Sequence, residues 1–103
     1  MGTDSAKIPI IVDKDLEEII PGYLKNRLKD MILLPQALAS GDFETLRVLG
    51  HRMKGSGAGY GFAAITEFGK KIEIAASKED PFEIEKNIIA LGDYLNRVEI
   101  CYK

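Results

Sequence analysis

His51 is the only histidine in the chain, and it heads the run His51-Arg52-Met53-Lys54-Gly55-Ser56-Gly57. On a helix, residues three and four apart share a face, with Cβ atoms roughly 5–6 Å apart. Lys54 and Gly55 would then flank the imidazole. One turn would carry a nucleophilic nitrogen, a cation, and a stretch of backbone with no side chain. Imidazole gains and loses its proton near neutral pH, and its neutral form attacks phosphorus. A cation one turn away would stabilise negative charge on phosphoryl oxygens. Glycine beside the ring would let a bulky, phosphate-bearing surface approach.

The helix that holds this run must turn His51 outward for any of that to matter. With His51 at zero and about 100° per residue, Leu49, Met53 and Leu46 fall at about 160°, 200° and 220°. Arg47, Lys54, Gly55 and Ala58 fall within about 60° of the ring. The apolar stripe therefore faces a core and His51 faces water. Ser56 and Gly57 fall toward the buried side, which suits Ser56 to packing or a backbone hydrogen bond rather than chemistry.

The remaining elements read as helices. Asp13 can cap a short helix over residues 14–20, and Pro21 suits the first turn of a longer one over residues 22–40. That helix has a stripe of Tyr23, Leu24, Leu28, Met31, Ile32, Leu34 and Leu38, with Pro35 expected to kink or break it. Gly41-Asp42 is a stop and a restart. The His51 helix loosens in Gly55-Ser56-Gly57-Ala58-Gly59-Tyr60-Gly61, and a further helix covers residues 62–77 with Phe62, Ile65, Phe68 and Ile72 inward. Asp80-Pro81-Phe82-Glu83 starts the last helix, which carries Phe82, Ile84, Ile88, Leu91, Leu95 and Val98 and is expected to run to near the C-terminus. Ile8–Val12 is β-branched but has no evident partner run, so it reads as an extended lead-in on the helices, with residues 1–7 frayed. The expected fold is all-α: an antiparallel four-helix bundle with a short additional N-terminal helix. Residues 1–103 form one domain, in which 1–12 are extended or partly disordered.

Composition narrows the function classes. The 14 Lys and Arg against 16 Asp and Glu leave a net charge of −2, without the basic stripe of a nucleic-acid binder. No apolar run approaches the ~18 residues of a membrane span. The polar start lacks a signal-peptide pattern, and Ala6 breaks the myristoylation pattern. Cys101, the single cysteine, cannot form an internal disulfide and reads as a semi-buried small hydrophobe in a reduced, cytoplasmic protein. The glycines make no nucleotide-binding loop: no strand precedes them, and Ala64 stands where a phosphate loop ending in Gly69-Lys70 needs its first glycine. One histidine and one distant cysteine make no zinc site.

The run from His51 to Gly57 resembles the His-x-x-Lys-Gly-Ser signature of histidine-containing phosphotransfer (HPt) domains. Upstream, Ala39-Ser40-Gly41-Asp42-Phe43-Glu44-Thr45-Leu46 is similar to that family's turn into its histidine-bearing helix. Downstream, Tyr60-Gly61-Phe62 and Gly69-Lys70-Lys71-Ile72-Glu73 are similar to its next helix. The resemblance covers the chain from about residue 13 onward. It implies a helical bundle in which His51 is phosphorylated on a ring nitrogen and relays the group between receiver-domain aspartates in a multi-step phosphorelay. By the same resemblance Lys54 is the electrostatic helper and Gly55 the small residue giving access. Met53, in place of a frequent leucine, is core, and Tyr60 and Phe62 are packing residues. The implied partners are response-regulator receiver domains and a hybrid histidine kinase. Mg²⁺ would come from the receiver, and the chain would be a monomeric phosphoryl carrier without kinase activity. The alternative is a non-catalytic helical module that binds a receiver or kinase as adaptor or inhibitor.

Overall fold

The computed structural model describes residues 6–103. The frayed start expected for the chain lies mostly on residues 1–5, outside the described residues. Four helices make up most of the chain: α1 (Ile20–Ala39), α2 (Phe43–Ser56), α3 (Ala63–Ser77) and α4 (Pro81–Arg97). Two short strands, β1 (Ile8–Val12) and β2 (Val98–Tyr102), flank them in sequence, with 3-10 turns at Lys14–Leu16 and Ala58–Tyr60. None of these helices is long and apolar enough to cross a membrane.

Helix boundaries follow local chemistry. At the start of α2, Asp42 Oδ1 accepts the Thr45 N–H at 3.0 Å while Thr45 Oγ1 donates to Asp42 Oδ2 at 2.6 Å. At α4, Asp80 Oδ1 accepts the Glu83 N–H at 3.1 Å, ahead of Pro81 at the first helical position. Gly41 closes α1 at φ +68°, a left-handed conformation that costs glycine nothing. Helix α1 runs through Pro35 as one helix, so of the kink or break expected there the break does not occur.

The core is formed by Leu34, Leu46, Met53, Phe62, Ile65, Ile72, Ile84 and Leu91, all fully buried. Helix α2 lies closest against α3; α3 also packs on α4, and α1 packs on both α2 and α4. The stripes expected on α1 and α4 are too wide: Leu28, Ile32 and Phe82 are exposed. Instead α1 buries Ile20, Tyr23, Asp30, Leu34 and Ala37, one narrow line along the helix.

The strands correct the expectation of helices alone. β1 is not an unpartnered lead-in; it pairs in parallel with β2, from Ile8 opposite Val98 to Val12 opposite Tyr102. Helix α4 stops at Arg97, where Val98 turns extended at φ −65° and ψ 139°. The segment expected as a short helix over 14–20 is a single 3-10 turn, capped by Asp13 Oδ1 accepting the Asp15 N–H. The alternation of β2 also corrects Cys101, which is exposed, because Ile100 and Tyr102 take the covered side.

Candidate functional site

The contact between α2 and α3 builds the site, and glycine sets its closeness. A Cβ on Gly50 of α2 would lie 2.8 Å from both the Glu73 nitrogen and the Gly69 oxygen. A Cβ on Gly69 of α3 would lie 2.6 Å from the Gly50 oxygen and 2.8 Å from the Met53 Cβ, with the Lys54 nitrogen nearer still. Gly57 continues the seam, 2.6 Å from the Thr66 nitrogen by the same measure. Thr66 Oγ1 fastens the end of α2, donating to the Lys54 carbonyl at 3.2 Å and accepting the Ala58 N–H at 2.8 Å. With two backbones in contact, a side chain one turn along α3 reaches across to α2.

That side chain is Glu73. Its Oε2 lies 2.9 Å from His51 Nδ1, and its Oε1 lies 2.7 Å from Lys54 Nζ. The three residues form one chain of contacts, His51–Glu73–Lys54. The hydrogen bond from Lys54, and secondarily that from His51, holds the Glu73 carboxyl below the ordinary carboxylate range. Glu73 is therefore ionised at neutral pH and can only accept hydrogen bonds. The hydrogen between it and the ring sits on Nδ1, so in the neutral ring the lone pair lies on Nε2. The His51 side chain is 63% exposed against 18% for Glu73, so the ring reaches water from a carboxylate set behind it.

The expected site residues divide between two roles. His51 is exposed and Lys54 half-buried on one face of α2, next to each other through Glu73. Gly55 is exposed, and a Cβ there would meet nothing of this chain within 4 Å. Its bareness has no use in the packing of this chain, whereas Gly50, Gly57 and Gly69 serve helix contact. Arg47, on the same face, is paired with Glu44, Nη2 to Oε2 at 2.7 Å. Ser56 faces α1, where its Oγ is 3.1 Å from Tyr23 Oη and accepts Arg27 Nη1 at 3.4 Å. Arg27 lies over the Tyr23 ring and donates Nε to the buried Asp30 at 2.9 Å. Burial raises the Asp30 pKa against the pull of Arg27. Tyr60 and Phe62 stack on Tyr23, as packing residues.

Sequence reasoning missed Glu73, Gly50 and Thr66 as parts of this site. Glu73 follows Gly69 by four, so a close-contact glycine and a carboxylate share a face of α3, but nothing in that spacing tells which face meets His51. A groove of about 530 Å³ lies on α4 between Phe82, Glu85, Lys86 and Ile89. No candidate residue lines it. His51 and Gly55 lie exposed on their face of α2. Comparison of the chain with protein-family models, curated proteins and solved structures finds no match.

Proposed function

We propose that this chain is a histidine phosphotransfer protein of the HPt type, with its four helices arranged as an antiparallel bundle and His51 as the phosphoryl acceptor. The observation that carries this reading is the 2.9 Å contact of His51 Nδ1 with Glu73, on a ring that is otherwise exposed. It leaves Nε2 as the nucleophile, on a ring that reaches water. The Nε2 lone pair attacks the phosphorus of an aspartyl phosphate on a receiver domain. The Nε2–P bond forms as the P–O bond to the aspartyl carboxylate breaks, and that carboxylate leaves with the electron pair. The ring keeps its Nδ1 hydrogen and takes up positive charge, which the Glu73 carboxylate opposite Nδ1 offsets. Lys54 has three N–H donors and spends one on Glu73, so two remain for phosphoryl oxygens. Attack by a second receiver's aspartate on the same phosphorus reverses these steps. Mg²⁺ belongs to the receiver's acidic pocket.

Intact-mass spectrometry after mixing the chain with phosphorylated receiver domains and Mg²⁺ tests this, with His51→Gln alongside. The expected result is one acid-labile phosphoryl group on wild type and none on the variant. Binding to a receiver without any transfer would replace the proposal with that of a non-catalytic adaptor.

A further inference from the structure

The two-stranded sheet has two outer edges, and they differ. Lys103 N–H donates to the Val12 carbonyl at 3.0 Å, and Lys14 N–H donates to the Lys103 carbonyl at 3.0 Å. With the parallel register, this turns the backbone groups of Glu99, Cys101 and Lys103 toward β1 and those of Ile100 and Tyr102 away from it. No hydrogen bond from the Ile100 or Tyr102 N–H is found outside the ladder among the described residues. On β1 the outward positions are Pro9 and Ile11. Pro9 has no N–H, which blunts that edge against further pairing. The β2 edge has no such device.

We propose that β2 pairs antiparallel with β2 of a second copy of this chain, joining two sheets into one of four strands across a two-fold axis. Such an interface must be self-complementary, and three registers bring at least two outward residues of each strand opposite outward residues. With Ile100 opposite Ile100, Glu99 faces Cys101. With Val98 opposite Ile100, Glu99 faces Glu99, and like charges directly opposite repel. With Ile100 opposite Tyr102, Glu99 faces Lys103 of the second copy on both sides of the axis, and Cys101 faces Cys101. Only this last register sets opposite charges against each other. Glu99, Cys101 and Lys103 are exposed and share the outer side of the sheet, so the pairs form without moving the core. On the inner side, Ile100 and Tyr102, each half-buried in one chain, cover one another. This departs from the monomer expected from the sequence and does not depend on the chemistry of His51.

The register has a built-in reporter. Cys101 opposite Cys101 is a non-hydrogen-bonded pair, with Cα atoms about 4.5 Å apart, within the range that a disulfide spans. Sedimentation equilibrium on the full chain, from micromolar to millimolar concentration, is the test, with circular dichroism to confirm that each variant keeps its helices. Wild type is expected to dimerise. Glu99→Lys is expected to weaken the dimer about tenfold or more, since it turns two attractive pairs into repulsive ones, and Glu99→Lys combined with Lys103→Glu is expected to restore it. Mild oxidation with diamide should link the wild-type dimer through Cys101, and Glu99→Lys more slowly. A chain that stays monomeric to millimolar concentration overturns the proposal, as does a dimer whose affinity Glu99→Lys leaves unchanged.

Discussion

The glycine seam gives the sharpest mutational contrast in this chain, between Gly69→Ala and Gly55→Ala. Both changes add one methyl group to a helix, and both gain the roughly 1 kcal/mol by which alanine exceeds glycine in helix propensity. They differ in what the methyl meets. At Gly55 it meets nothing within 4 Å, so the propensity gain stands and stability should rise by about 0.5–1 kcal/mol. At Gly69 it falls 2.6 Å from the Gly50 oxygen and 2.8 Å from the Met53 Cβ, besides the Lys54 nitrogen. Two of those three neighbours are backbone and cannot rotate aside, so α2 and α3 must part. Overpacking of this kind costs about 1–3 kcal/mol, occasionally more. With the crowding at the top of that range and the propensity gain deducted, the net loss is about 2 kcal/mol. In a domain of this size 1 kcal/mol moves the melting temperature by roughly 4–8 °C. Thermal unfolding followed by circular dichroism should therefore show Gly69→Ala melting about 10 °C or more below wild type and Gly55→Ala a few degrees above it. Parting the helices should also draw Glu73 away from His51, so Gly69→Ala should slow phosphoryl acceptance although residue 69 touches neither partner nor phosphate. A Gly69→Ala protein that melts with wild type would refute the claim that backbone contact fixes the site. A destabilised Gly55→Ala would refute the division of the glycines into two roles.

Other changes separate the parts of the site. His51→Gln should abolish phosphoryl acceptance with stability within about 0.5 kcal/mol of wild type, because an exposed side chain carries no core packing; Lys54→Ala should slow transfer, measured with a phosphorylated receiver, without abolishing it. Glu73→Ala should slow acceptance by about tenfold, the lower end of what a hydrogen bond to a charged group is worth, while Glu73→Gln, whose amide oxygen can still accept from Nδ1, should lose less; equal rates in all three proteins would remove Glu73 from the mechanism. The Glu73 carboxyl is depressed in the folded chain, so its stabilising effect is full above the ordinary carboxylate pKa and fades as pH falls through the depressed value. Urea titrations of wild type and Glu73→Gln should accordingly converge as the solution is acidified, and a gap that widens toward low pH would contradict the assignment.

How much of this was legible in the sequence depends on the range of the interaction. Caps and turns are local: Asp42, Asp80 and Gly41 act on residues three or four away, so the sequence around each carries its whole signal. The exposure of His51 followed from the positions of Leu46, Leu49 and Met53, because a helix with one apolar line fixes its opposite face. The strand β2 was hidden because Leu91, Leu95 and Val98 continue the spacing of α4, while Val98, Ile100 and Tyr102 also alternate with the period of a strand. Only the partner β1, some 90 residues earlier in the register Ile8 to Val98, decides between the two. The same limit hid Glu73. Helical phase tells that residues 69 and 73 share a face, but which neighbour that face meets is decided by Gly50 and Gly69 in contact across two helices.

The ring nitrogens of His51 give the most direct test. Long-range ¹⁵N–¹H and ³¹P correlation spectra, recorded before and after loading from a phosphorylated receiver, report which nitrogen holds the hydrogen and which the phosphorus. The account requires the neutral ring to carry its hydrogen on Nδ1 and the phosphoryl group to appear on Nε2. Phosphorus on Nδ1, a neutral ring protonated on Nε2, or no phosphoryl group on His51 at all would contradict it.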